Sequence, residues 1–140
     1  MADDKQKHQR LNAPDEHAAK AALKAAAQPG GSQFGVEDCC VREFWAVVET
    51  DGTLVRGRNV WRTAHLGQGI YEVIFTGDVS QGVYSATIGR PGIATEPAGM
   101  VSVALRCCLS SPEDNKGVWV DTHDPGGAFS DRAFHLVVHV

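Results

Sequence analysis

The stretch Ile70-Tyr-Glu-Val-Ile-Phe75 alternates in side-chain direction, so that Tyr71, Val73 and Phe75 share one face. This is the period of a strand. Val101, Val103 and Leu105 repeat it, as do Phe134, Leu136, Val138 and Val140. Outward from these segments, strand signals recur at spacings of roughly 8–12 residues. The pattern predicts about eight strands, near 42–49, 53–56, 60–66, 70–76, 83–88, 100–107, 117–123 and 133–140. Turn chemistry separates them. Asp51-Gly52 is a hairpin signal, the glycines of Gly67-Gln-Gly69 tolerate positive φ, and Pro91-Gly92 and Asp124-Pro-Gly-Gly127 mark longer loops. Short sequential strands with no helix between them predict an all-β fold, an antiparallel two-sheet sandwich that is jelly-roll-like.

A chain of 140 residues has room for one self-sufficient core and a tail. The break between the two falls at Gln28-Pro-Gly-Gly-Ser-Gln33, which ends a helix and bends the chain. Residues 1–38 read as an N-terminal arm and 39–140 as the β-domain. Within the arm, the alanine-rich run from Asp15 to Gln28 has high helix propensity, Asn12 or Asp15 can cap it, and Glu16 to Lys20 is a favourable i,i+4 pair. Leu23 is its one large apolar residue, so the arm reads either as a solvated helix or as a contact surface for a neighbouring subunit or scaffold.

Seventeen acidic against 13 basic residues give a formal net charge of -4, which supplies no electrostatic footprint for nucleic acid or anionic lipid. The first ten residues are polar, unlike a secretory signal, and no run of about 20 apolar residues could span a bilayer. The expectation is a chain made in the cytoplasm, with no nucleic-acid partner and no membrane insertion. Entry into an extracellular particle or fibre would then need lysis or a dedicated route.

Four cysteines form two vicinal pairs, Cys39-Cys40 and Cys107-Cys108. On an extended strand, neighbours point to opposite faces, so each pair would offer one thiol inward and one outward. Three readings stay open: inert core thiols, structural or intersubunit disulfides, and a metal site, the last disfavoured because adjacent cysteines chelate one tetrahedral ion less readily than C-x₂₋₄-C. His135 and His139 lie on one face of a strand but about 13 Å apart, too far to chelate one ion within a chain. They read as solvated histidines, or as rings of imidazoles about a three-fold axis. Asp121-Thr-His-Asp124 could offer two carboxylates to a hard cation, though an Asp-led glycine turn reads first as a turn. Gly77-Asp-Val-Ser-Gln-Gly82 lacks the lysine and helix of a phosphate loop. No nucleophile-elbow, zinc-protease or deaminase motif is present, and no cofactor is implied.

Three tryptophans, Trp45, Trp61 and Trp119, fall on strands. They read as packing or interface residues, with sugar-stacking platforms as the other use. Trp61, between Arg58 and Arg62, is the one expected to be exposed.

The segments Phe44-Trp-Ala-Val-Val48, Asp51-Gly-Thr-Leu-Val55, Leu66-Gly-Gln-Gly-Ile-Tyr-Glu-Val-Ile-Phe75, Val83-Tyr-Ser-Ala-Thr-Ile-Gly89 and Phe134-His-Leu-Val-Val138 resemble a family of uncharacterised bacterial β-modules of actinobacterial type. Similar modules end collagen-like and phage-tail-fibre-like chains. The resemblance spans about residues 42–140, and its motifs are structural rather than chemical. Family members often carry cysteine where this chain has Gly82 and Val140, so any cross-link here belongs to this chain alone. By that analogy the resemblance implies a trimerising or binding head. The expectation is therefore a non-enzymatic assembly protein, a self-associating homo-oligomer with trimer preferred, locked by cysteine cross-links. The other expectation is a carbohydrate- or cell-surface-binding module that uses Trp61 or the loops at 89–99 and 109–116.

Overall fold

The computed structural model describes residues 41–140, so the arm, Leu23, Cys39 and Cys40 lie outside the described residues. The eight strands fall where the alternation and the turns place them: β1 (Glu43–Val48), β2 (Leu54–Arg58), β3 (Val60–Gly67), β4 (Ile70–Phe75), β5 (Val83–Ile88), β6 (Met100–Leu105), β7 (Gly117–His123) and β8 (Phe134–His139). They form two four-stranded antiparallel sheets, ordered β2-β1-β8-β5 and β3-β4-β7-β6. Hairpins β1–β2, β3–β4 and β6–β7 stay within one sheet, and β8 returns to lie between β1 and β5. The jelly-roll likeness thus extends to strand number and two-sheet layering, while the wiring runs through hairpins.

Two turns show why the strands end where they do. Gly52 closes the β1–β2 hairpin at φ 86°, its N–H donating to Glu49 O at 2.9 Å. Gly69, at φ 66°, turns β3 into β4. A side chain there would strike the carbonyl of Thr122, which itself receives the Ser130 amide. Asn59, also at positive φ (59°), bends β2 into β3 and carries the chain from one sheet to the other.

The core comes from the four inner strands. Phe44, Ala46 and Val48 of β1 and Phe134, Leu136 and Val138 of β8 face Tyr71, Val73 and Phe75 of β4 and Val118 and Val120 of β7, all of them buried. Phe44 meets Phe75 and Tyr71 meets Phe134 edge to face, with centroids 5.5 and 5.2 Å apart. Two of the buried polar groups bond to backbone carbonyls, Tyr71 Oη donating to Thr50 O at 2.7 Å and Thr122 Oγ1 to Ser130 O at 2.7 Å, while the buried Arg132 Nε has no partner among the described residues. Inward residues of the outer strands β5 and β6, including Tyr84, Ala86, Val101 and Val103, are only half-buried.

Candidate functional site

The outer face of the second sheet carries the densest polar chemistry among the described residues. Alternation sends Glu72 and Ile74 of β4 away from the core, yet they are 5% and 1% exposed. Their neighbours explain it. Ile74 stands opposite Arg62 and Gly117, and Glu72 opposite Ala64 and Trp119. The chain after β6 folds back over them, so that Arg106 and Leu109 converge with Ile74 around Gly117.

Both Glu72 oxygens are occupied. Arg62 Nη1 donates to Oε1 at 2.6 Å and Arg106 Nε to Oε2 at 3.0 Å. Arg62 turns its other edge to Glu113, with Nε–Oε1 and Nη2–Oε2 both 2.8 Å. That two-pronged contact holds the Glu113 carboxyl below the usual carboxylate range, and with Glu72 it raises the pKa of Arg62. Arg106 also lies over the Trp119 ring, 5.0 Å from its centroid, and Trp119 Nε1 donates to Asp121 Oδ1 at 2.7 Å.

Trp61 borders this network. The β3–β4 ladder steps from Val60 to Arg62, leaving Trp61 at the irregularity, and such a bulge re-aims a side chain. Trp61 is 65% exposed, as its arginine neighbours lead one to expect. Beside it opens a cavity of about 160 Å³ lined by Ile74, Phe75, Thr76, Pro112, Glu113 and Lys116. The Arg62–Glu113 contact ties the loop wall of this cavity to the sheet.

The cysteines at 107 and 108 behave differently from the extended-strand expectation. β6 ends at Leu105, before the pair. Cys108 has φ 65°, and the two sulfurs lie in contact with each other instead of dividing between faces. Alternation requires extended backbone, and the chain has left the ladder by this point.

A second cluster joins β3, β4 and the β7–β8 connection. Asp131 Oδ1 accepts from the Gly69 amide at 2.6 Å, meets His65 Nε2 at 2.9 Å and lies 3.4 Å from Tyr71 Oη. His65 stacks on Tyr71 with centroids 4.9 Å apart. Burial alone would push the Asp131 carboxyl up, but the Gly69 amide and then His65 outweigh it, and its pKa is lowered. Tyr71 is pushed up to about 12, chiefly by burial and then by the Asp131 charge. A depressed carboxyl stabilises the fold above its unfolded value of about 3.9, and that stabilisation is lost as pH falls through the folded value. Asp131→Asn is therefore expected to lower the urea midpoint at neutral pH, with the gap to wild type closing in acid. Urea titrations at both pH values check this.

A third feature is the margin formed by β5 and β6, the end strands of the two sheets on one side. They run close together without sharing a ladder. Neither Val83-Tyr-Ser-Ala-Thr-Ile88 nor Met100-Val-Ser-Val-Ala-Leu105 contains a charge or a proline, and their registers with β8 and β7 are unbroken. Val83 is 71% and Met100 49% exposed. The opposite margin differs: β2 and β3 carry Arg56, Arg58 and Arg62, and both ladders contain irregularities.

The three tryptophans do not converge. Trp45 lies on the outer face of the first sheet, opposite Arg58 and Val137, whereas Trp119 is separated from β3 by β4. His135 and His139 share the outer face with Val47 and Glu43 as their partners. His135 Nε2 lies 3.2 Å from Arg90 O and Arg56 Nη1 donates to Pro91 O at 3.2 Å, so the start of the 89–99 loop lies over Val47. Asp124 accepts the amides of Gly126 and Ala128, and Asp78 accepts the amide and the hydroxyl of Ser80, which is turn chemistry in both places. Among the described residues no three His, Cys, Asp or Glu side chains group as a metal set.

Sequence reasoning missed Glu72, Arg106, Glu113 and the His65–Asp131 pair. One signal was available: Glu72 is the lone charge in an otherwise apolar strand, which marks a carboxylate in need of buried partners. No family model, no curated protein and no solved structure matches the chain.

Proposed function

We propose that the protein is a non-enzymatic assembly subunit whose β-sandwich self-associates through the β5/β6 margin. The observation that carries this reading is the chemistry of those two strands. An unpaired strand edge offers a row of N–H and C=O groups to any other chain, and natural proteins blunt such edges with charge, proline or bulges. Here the β2/β3 margin is blunted and the β5/β6 margin is not. The half-buried Tyr84, Ala86, Val101 and Val103 behind it supply apolar surface that a second copy would cover.

Two different edges on one margin suit a head-to-tail contact, β5 of one copy against β6 of the next, which closes as a ring. Three copies are the proposed stoichiometry, in keeping with the terminal modules the sequence resembles. With the Cys107 and Cys108 sulfurs turned to each other, the assembly rests on strand and apolar contacts at this margin rather than on cross-links from that pair.

Native mass spectrometry of the protein, beside the double variant Val83→Lys/Met100→Lys, tests the reading. Wild type is expected as a discrete trimer at micromolar concentration. The variant is expected as a monomer with an unchanged circular-dichroism spectrum, since both side chains are exposed. A monomeric wild type, or an oligomer that survives both lysines, overturns the reading.

A further inference from the structure

The cleft beside Trp61 lies on the sheet face, and its chemistry is independent of the β5/β6 margin. We infer that it binds one carboxylate-bearing sugar ring, a uronic-acid residue within an acidic polysaccharide, with the ring stacked on Trp61 and its carboxylate paired with Lys116. Three observations converge on it.

The first is the indole itself. A large aromatic at 65% exposure forgoes the burial that normally stabilises such a side chain, and here the bulge in β3 directs it outward. The second is size. A cavity of about 160 Å³ falls below the roughly 300–1,000 Å³ of sites that enclose a whole small molecule. It takes one ring and leaves the rest of a polymer in solvent. The third is charge. Arg62, which holds the Glu113 wall, is spent on Glu72 and Glu113, while Lys116 lines the cleft and forms no ion pair among the described residues. The cleft is thus lined by the exposed Trp61, apolar walls from Ile74 and Pro112, Thr76 and one available cation. A pyranose ring with apolar C–H faces, hydroxyl edges and one carboxylate matches each of these. Glu113, held by Arg62 through both oxygens, fixes the loop wall before the ligand arrives, so little ordering is needed on binding.

Isothermal titration of the intact protein with a short oligogalacturonate, and with a neutral oligoglucan of equal length, tests the site. The expected result is salt-sensitive binding of the oligouronate and much weaker binding of the neutral chain. Trp61→Ala should weaken uronate binding about tenfold or more, and Trp61→Phe should restore part of it. Lys116→Gln should level the preference between charged and neutral chains. Absence of oligouronate binding overturns the proposal, as does equal binding of the neutral chain or binding that survives Trp61→Ala. A single-stranded oligonucleotide that binds where the oligouronate does not would assign the stacking face and cation to a different ligand class and overturn it as well. The monomeric Val83→Lys/Met100→Lys variant should bind as wild type does, which separates failure of this site from failure of self-association.

Discussion

Phe134→Ala is expected to lower the free energy of unfolding by about 3–5 kcal/mol, the range for removing a fully buried ring from a packed core. Phe134 is 0% exposed and opens β8, the strand held between β1 and β5, where it stands opposite both Val48 and Ile88. Across the sandwich its ring meets Tyr71 edge to face at 5.2 Å. Alanine would remove one of the aromatic contacts between the two sheets, at the end of the sandwich where β8 begins. Tyr71 cannot swing into the void without breaking its bond to Thr50 O. Domains of this kind have a total stability of roughly 5–15 kcal/mol, so the variant should fall near the threshold of folding. Urea unfolding followed by tryptophan fluorescence measures the loss, with Trp61→Ala as the contrast. That exposed substitution should stay within about 0.5 kcal/mol. A loss below about 1 kcal/mol for Phe134→Ala would mean that the two sheets do not pack face to face through this ring.

Strand positions were legible in the sequence because their causes are local. Period-2 alternation in 70–75 and 134–140, the Asp51-Gly52 hairpin and the Gly67–Gly69 turn act over a few residues, and each strand lies within a residue or two of its expected place. Sheet order was not legible. Nothing near Phe134 or Val83 in the sequence shows that β8 enters between β1 and β5, because that pairing joins segments far apart in the chain. The identity of the edges therefore stayed hidden too. Val83-Tyr-Ser-Ala-Thr-Ile88 reads as an ordinary strand until its place at the end of a sheet gives its lack of charge a consequence.

The candidate cleft was partly legible. Trp61 was visible as an exposed aromatic, flanked as it is by Arg58 and Arg62. Its partners were not, because Pro112, Glu113 and Lys116 arrive from a loop some 50 positions later, drawn in by the Arg62–Glu113 contact (|i−j| = 51). At the cysteines the local rule has no purchase: the one-inward, one-outward reading of Cys107-Cys108 holds only on extended backbone, and the β6 ladder ends at Leu105.

Glu72→Ala is expected to cost about 2–4 kcal/mol and to loosen the loop that walls the Trp61 cleft. Breaking a buried ion pair by removing one partner costs roughly 3–5 kcal/mol, because the remaining charge is left uncompensated. The lower figure applies here because Arg62 and Arg106 are 37% and 29% exposed, so water can recover part of their solvation. The side chain of Glu72, at 6%, is the buried member, and both of its oxygens are bound. Without it, two guanidinium groups face one another across β4, and Arg62 keeps only Glu113. Arg106 keeps its place over Trp119, so that half of the network should hold better than the Arg62 half. The measurable consequence is unequal: faster amide exchange in residues 110–116 than in β7, together with weaker oligouronate binding although Trp61 and Lys116 are intact. Glu72→Gln preserves the volume and one acceptor oxygen, and should lie between wild type and the alanine variant. A double-mutant cycle between Glu72→Ala and Arg62→Ala should give a coupling of at least about 1 kcal/mol. A coupling near zero would mean that the carboxylate and the guanidinium are stabilised separately by solvent. The loop wall would then owe nothing to the charge beneath it.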